Sequence, residues 1–296
     1  MKKVIAIVGP TAVGKTKISI ELAKRLNLDI ISSDSVAVYK RLDIGSAKPT
    51  KEEMDSVRHY LIDELEPTEQ YSVQDFQTKA RAIIESNNPI IMSGGTGLYV
   101  QSVLFDYSFE AARRDVTFEE KFKHLDNQEL YNLLIEKDPS VKTRIHPNNR
   151  KRVLRALEIL ESTNKSIEAF DGKRKPYYDS YIVYLNINDR QLLYKRINER
   201  VDKMVKDGLV EEVRNLYRDN IFPNAIGYKE LVPYFEGEIT LDSAIDNIKQ
   251  NSRHLAKRQM TWFSHQMDTH FYEVNLENID ETIDIIYKDL ESFLEV

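Results

Sequence analysis

Val4-Ile5-Ala6-Ile7-Val8-Gly9-Pro10-Thr11-Ala12-Val13-Gly14-Lys15-Thr16 is the stretch on which the reading of the fold turns. Val4–Val8 is a short, unbroken apolar run, as expected of a strand buried on both faces. The next eight residues have the spacing G-x-x-x-x-G-K-[ST], and Ile18, Leu22 and Leu26 then repeat at helical intervals, so a helix is predicted from about Lys15. Strand, glycine loop and helix together give the pattern its meaning. The glycines let backbone N–H groups turn inward around an anion, and the helix start adds its dipole. Lys15 adds a point charge and the Thr16 hydroxyl can sit on Mg²⁺. Gly9, Pro10, Thr11, Ala12, Val13, Gly14, Lys15 and Thr16 are therefore expected to hold a di- or triphosphate. The loop does not say which one. Most such loops bind ATP or GTP, so an ATP-binding small kinase is what the loop alone favours.

Working outward, apolar β-branched runs recur at Ile30–Ile31, Tyr60–Ile62, Ile90–Met92, Tyr181–Ile187 and Phe271–Val274. Helical patterns at about 73–87, 191–206, 208–218 and 241–263 separate several of them, and Ile279 to Leu294 reads as a terminal packing helix. Buried strands alternating with helices predict an α/β fold, a P-loop parallel sheet covered on both faces. From Phe109 to Pro176 the strand signal gives way to a charged helical pattern. The predicted organisation is a P-loop core of residues 1–111 plus 181–296, interrupted by a helical insertion at 112–180.

The 296 residues are 41% hydrophobic and 30% charged, enough to build a core. There is no cysteine, which excludes a disulfide partner, a thiolate nucleophile and a Cys-based zinc site. The N-terminal apolar run is too short for a signal core, and no segment reaches membrane-spanning length, so a cytoplasmic, membrane-free protein is expected. With a net charge of −6, a nucleic-acid partner would need a local basic face. Two clusters qualify. One comprises Lys142, Arg144, Arg150, Lys151, Arg152 and Arg155, followed by Lys173-Arg174-Lys175. The other, Arg253, His254, Lys257 and Arg258, runs into Trp262-Phe263. A solvated surface would give the same charge pattern.

Other segments carry less specific signals. Asp34 follows the second strand, where ligands of open α/β sheets sit; it could be a general base, a metal ligand or a turn aspartate. Ser93-Gly94-Gly95-Thr96-Gly97 is a second glycine run at a strand end, able to present N–H groups to an anion. Arg196 and Arg200 share a helical face, and by spacing alone a solvated face with Glu199 and Asp202 as partners is the favoured reading.

Taken in order, GPTAVGKT, DSVAVY from Asp34, DIGSAKP from Asp43, GGTGLY from Gly94, His146-Pro-Asn, RVLRALE from Arg152, RINERVDKM from Arg196, AIGYKE from Ala225 and AKRQMTWF from Ala256 resemble the tRNA dimethylallyltransferase family nearly end to end. The resemblance implies transfer of a dimethylallyl group from dimethylallyl diphosphate, with Mg²⁺ held by Thr16, to N6 of the adenosine 3′ of the anticodon in tRNA. It implies that Lys15, Thr16, Arg196 and Arg200 neutralise the diphosphate and that Asp34 takes the amine proton, with Thr96 a lesser orienting group. It also places Asp34, Ser35, Val36 and Ala37, together with Lys151, Arg152, Arg155, Arg253, Lys257 and Arg258, against the anticodon stem-loop, with the insertion helping to grip it. A monomer is expected. Two positions depart from the family pattern: Ala37 stands where Gln is usual and Ser46 where Thr is usual. Ala37 cannot make an amide contact to a base, so no base-reading role is carried to it. The zinc-finger extension of eukaryotic members is missing.

Overall fold

The computed structural model describes residues 1–107, 117–166 and 175–295. The chain begins with β1 (Lys3–Val8), α1 (Lys15–Leu26), β2 (Ile30–Ser32), α2 (Lys51–Met54) and β3 (His59–Tyr60). Then come α3 (Val73–Ser86), β4 (Ile90–Gly94) and α4 (Gly97–Leu104). The insertion contributes α5 (Asn127–Lys137) and α6 (Arg150–Thr163). The chain continues through β5 (Asp179–Asn186), α7 (Arg190–Lys206) and α8 (Leu209–Arg218). It ends with α9 (Val232–Phe235), α10 (Leu241–His265), β6 (His270–Glu273) and α11 (Ile279–Leu294). No helix among the described residues is long and apolar enough to cross a membrane.

All strand pairs are parallel, in the order β3-β2-β4-β1-β5-β6. The alternation of β1 explains its sequence. Val4, Ala6 and Val8 enter one buried layer with Phe76, Val100 and Phe263, whereas Ile5 and Ile7 enter the opposite layer with Ile18, Leu22, Ile197 and Ile286. A strand buried on both faces has no polar face to alternate with, hence the continuous run. β1 lies between β4 and β5, so the glycine loop leaves the middle of the sheet at its carboxyl edge, where open α/β sheets bind ligands.

Two boundaries differ from the sequence reading. The third strand stops at Tyr60, because Leu61 has φ 63° and turns its side chain into the core. β5 begins at Asp179, opposite Lys3, and Tyr178 before it is buried in the sheet layer. Accordingly the compact units divide as Met1–Phe105 with Pro176–Val296, and Asp106–Lys175, so the core resumes before residue 181. The predicted starting boundary at 112, and Lys173 and Arg174 of the basic stretch, lie outside the described residues. Within the second unit, Leu130, Leu134, Val141, Val153 and Leu157 form a separate small core.

The loop 42–48 is held from both ends. Glu212 on α8 accepts the backbone N–H groups of Asp43 (3.1 Å), Ile44 (2.8 Å) and Gly45 (3.1 Å), and also the hydroxyl of fully buried Tyr228 (2.8 Å). Burial, then the Glu212 charge, raise the Tyr228 phenol above its ordinary range. Gly45 has to be glycine because a Cβ would lie 2.5 Å from the Tyr228 ring. At the other end the Lys48 ammonium donates to the Tyr39 carbonyl and bridges Asp43 and Asp63. Tyr228→Phe leaves the Glu212 carboxylate still accepting three N–H groups and is expected to cost about 1 kcal/mol. Glu212→Leu strands those donors and the phenol, and should cost at least about 2 kcal/mol more. Equal shifts of the urea midpoint at unchanged slope would contradict this hierarchy.

Candidate active site

The loop after β1 adopts conformations that its sequence permits. Gly9 has φ +151°, Ala12 has φ 65° and Gly14 has φ +106°. Gly9 also passes so close to β5 that a Cβ would lie 2.3 Å from the Leu185 carbonyl oxygen. α1 starts at Lys15 with Gly14 as its N-cap and no capping side chain, leaving its first N–H groups for an anion.

Three cations are folded onto this loop. Lys15 Nζ donates to the Gly9 carbonyl (2.9 Å) and the Pro10 carbonyl (2.7 Å). From α7, Arg196 Nε donates to the Ala12 carbonyl (3.0 Å) and Arg200 to the Thr11 hydroxyl (2.9 Å). α7 buries Leu193, Ile197 and Val201 at four-residue intervals, and that stripe sets the adjacent 196/200 row against the loop. The solvated alternative fails on its own partners: Glu199 lies 3.9 Å from Lys195, and Asp202 pairs with Lys249 at 2.6 Å.

Among the described residues none of these three cations is ion-paired with a carboxylate, and the electrostatics follow from that. Burial, reinforced by the Arg200 charge and opposed by Asp34, lowers the Lys15 ammonium to about 7. Burial also lowers Arg200, again opposed by Asp34. Asp34 is a turn aspartate that also borders the cavity. Its Oδ1 accepts the N–H groups of Val36 (2.8 Å) and Ala37 (3.3 Å), as a turn aspartate does, and it lines the cavity with Lys15 and Arg200.

That cavity, of 1070 Å³, is bounded by the phosphate loop including Thr16, by Asp34 to Ala37, by Gly45 to Pro49, and by Arg196 and Arg200. Ile197, Val201, Met204, Ile226, Ile248 and Leu255 give it an apolar wall. Among the described residues no three His, Cys, Asp or Glu side chains gather to hold a metal ion. A Mg²⁺ here would take its ligands from the Thr16 hydroxyl, substrate phosphate oxygens and water, the donor set Mg²⁺ ordinarily accepts.

Thr96 Oγ1 accepts the Ser35 N–H (3.2 Å) and so braces the Asp34 turn. The second glycine run is built for close packing: a Cβ at Gly94, Gly95 or Gly97 would lie 2.5 Å from Ser33, 2.2 Å from Gln259 or 2.2 Å from Trp262. Gln259, which sequence reasoning left without a role, accepts the Thr11 N–H (2.8 Å) and donates to the Gly95 carbonyl (3.1 Å).

The basic clusters separate by use. On α10, Arg253 donates to Asn198 (2.6 Å), whereas His254, Lys257 and Arg258 line an open cleft of 550 Å³ with Thr261, Trp262, His265 and Gln266. Phe263 is fully buried in the sheet layer, so only Trp262 of the aromatic pair borders the cleft. In the second unit, Lys151 and Arg152 are exposed, while Arg155 pairs with buried Glu158 at 2.5 Å. Arg150 is spent on the Leu125 and Phe122 carbonyls (2.9 and 2.7 Å).

A family model described as IPP transferase matches residues 37–266. A tRNA dimethylallyltransferase of Oceanobacillus iheyensis is 44% identical over 99% of this chain and 97% of that protein. One from Macrococcus caseolyticus is 48% identical over 94% of each chain. A solved tRNA delta(2)-isopentenylpyrophosphate transferase from Staphylococcus epidermidis has a TM-score of 0.74 at 39% identity, covering 99% of both chains. A eukaryotic dimethylallyltransferase acting on tRNA has a TM-score of 0.84 at 29% identity, covering 99% of this chain and 80% of that one.

The depressed Lys15 ammonium predicts how pH acts on anion binding. Its buried charge destabilises the fold fully below pH 7, and that penalty fades as pH rises toward the unfolded value of 10.5. An anion restores the charge, so binding inorganic pyrophosphate at pH 8 should take up a proton at Lys15, and affinity should weaken as pH rises above 7. Calorimetry in buffers of different ionisation heat reads the uptake, and Lys15→Met isolates it from the titration of pyrophosphate itself. Identical uptake by wild type and variant would contradict the assignment.

Proposed function

This chain belongs to the tRNA dimethylallyltransferase family, and on that premise we propose that it moves a dimethylallyl group from dimethylallyl diphosphate to N6 of the adenosine 3′ of a tRNA anticodon, releasing diphosphate. Prenylation of tRNA follows from family membership; donor, acceptor atom and residue roles are our reading of the site. The observation that carries it is one cavity uniting a phosphate loop, three cations, a carboxylate and an apolar wall. A dimethylallyl diphosphate has an anionic head and a small apolar tail, and the two parts of the cavity match them. Family membership replaces the kinase reading that the loop alone favours.

Allylic substitution by an aromatic amine makes two demands. Charge building on the leaving diphosphate must be neutralised, and the amine must lose a proton as it attacks. Lys15, Arg196, Arg200 and the N–H groups at the start of α1 are fixed beforehand around the leaving group, so little reorganisation is needed at the moment of reaction. Mg²⁺, held through Thr16, would add positive charge at the diphosphate oxygens. Asp34, held in one orientation by two backbone N–H groups, is the base for the amine proton.

A loop adenine is stacked and has to be splayed out to reach a buried carbon. We assign the exposed cations Lys257 and Arg258 on α10, and Lys151 and Arg152 in the second unit, to tRNA phosphates, which fits a cytoplasmic, monomeric enzyme acting on tRNA. Arg253 and Arg155, already engaged with Asn198 and Glu158, serve the RNA less directly. Ser35, Val36 and Ala37 border the acceptor side of the cavity; Ala37 supplies no base-reading amide.

The test is incubation with Mg²⁺, labelled dimethylallyl diphosphate and unmodified tRNA, beside free AMP and a tRNA with guanosine in place of the target adenosine. Label in the adenosine tRNA alone is expected; label in AMP, or none in tRNA, contradicts the proposal. Asp34→Asn should lower single-turnover transfer by about 10²–10⁴ with near-normal tRNA affinity. Turnover close to wild type would remove Asp34 from the role. Affinity for tRNA should also fall steeply with added salt, and a flat dependence would count against the phosphate contacts.

A further inference from the structure

We propose that Gln259 is a positioning residue for prenyl transfer: its side-chain amide ties the phosphate loop to the turn that carries Asp34. The proposal rests on the functional reading above. It comes from two bonds that only a neutral group with both a donor and an acceptor can make. Gln259 Oε1 accepts the Thr11 N–H at 2.8 Å, and its Nε2 donates to the Gly95 carbonyl at 3.1 Å. Gly95 is glycine for this contact, since a Cβ there would lie 2.2 Å from Nε2.

Each end of the amide leads to a group the reaction uses. On the Thr11 side, the hydroxyl of the same residue accepts Arg200 (2.9 Å) and the next carbonyl accepts Arg196 (3.0 Å). Spending the Thr11 N–H on Gln259 also confines the anion cradle to the residues that follow. On the Gly95 side, Thr96 donates its N–H to the Ser33 carbonyl (3.2 Å), and its hydroxyl accepts the Ser35 N–H (3.2 Å), so Asp34 is bracketed by two anchored neighbours. The amide is the hydrogen-bonded link between the cations placed at the leaving group and the carboxylate placed at the amine. It fixes their spacing while touching neither reacting atom. Misplacement of such groups by about 1 Å can cost about a hundredfold in rate.

The link has an electrical requirement that packing alone lacks. In Gln259→Glu the introduced carboxyl has the same shape. Ionised, it still accepts the Thr11 N–H but sets a negative charge against the Gly95 carbonyl; protonated, it can make both bonds. The titratable and charged groups lining this cavity are Lys15, Lys17, Glu21 and Lys24 on the loop and α1, Asp34 after β2, Lys48, Glu53 and His59 between there and β3, and Arg196, Glu199, Arg200 and Lys203 on α7. Gln259→Met shares these groups without adding a charge, so a pH dependence found only in Gln259→Glu comes from the introduced carboxyl and its coupling to them.

The experiment is single-turnover transfer with saturating tRNA and dimethylallyl diphosphate from pH 6 to 8.5, comparing wild type, Gln259→Glu and Gln259→Met. Gln259→Glu is expected to be about tenfold to a hundredfold slower than wild type at pH 8 and to recover as pH falls. Gln259→Met should stay slow by a constant factor throughout, with the KM for tRNA unchanged within about twofold in both variants. A Gln259→Glu ratio that is flat with pH, or wild-type rates in both variants, would overturn the proposal. Absence of transfer by the wild-type protein would instead overturn the functional reading on which it rests.

Discussion

Two half-buried cations, Lys15 and Arg200, sit at one cavity and, among the described residues, neither is ion-paired with a carboxylate; the rest of the core is arranged to hold them there. Desolvated charge is costly unless it is hydrogen-bonded, and among the described residues the groups that accept from these cations are the carbonyls of Gly9 and Pro10 and the hydroxyl of Thr11. The loop therefore has to present its carbonyls inward to the cations while its later N–H groups face an anion. Positive φ values at Gly9, Ala12 and Gly14 make that possible. A bound diphosphate would supply the counter-charge such a site lacks, offsetting the cost of desolvating the cations.

Everything around the loop fixes its position. β1 is clamped between β4 and β5 and buried on both faces, so the loop leaves from a rigid edge. Gly9 and Gly94 let backbones approach where a Cβ would collide with Leu185 or Ser33. The far wall of the cavity is stiffened differently. Glu212 gathers three backbone N–H groups and a buried phenol, and Lys48 closes the other end of the same loop. The DIGSAKP and AIGYKE segments thus meet as Gly45 against Tyr228. Both segments line the cavity and shape it.

How much of this could be read from the chain follows from how local each signal is. The run Val4–Val8, the glycine spacing and the helix after it lie within about two dozen residues, and all were legible. So were the long helices, whose apolar stripes repeat within each element. The extent of β3 was not, because Leu61 leaves the strand through a backbone angle that leucine seldom adopts. Arg196 and Arg200 were placed on one face by spacing, but which face met the loop depended on the Leu193, Ile197 and Val201 stripe packing elsewhere. Charge counts did not reveal that Arg150 is bonded to the Leu125 and Phe122 carbonyls and Arg155 to Glu158, and the aromatic pair concealed that Phe263 belongs to the core. Gln259 and Glu212 bond to residues 248 and 169 positions away, and no local pattern marks such contacts.

The central claim is that the α7 arginines and the phosphate loop form one site, specific for the diphosphate donor. The most direct measurement is the affinity of the Arg196→Ala/Arg200→Ala double variant for dimethylallyl diphosphate and, separately, for tRNA. The account predicts donor affinity lower by at least about a hundredfold, because two charge-assisted contacts are lost, with tRNA affinity little changed. Unaltered donor affinity, or a loss confined to tRNA, would contradict it.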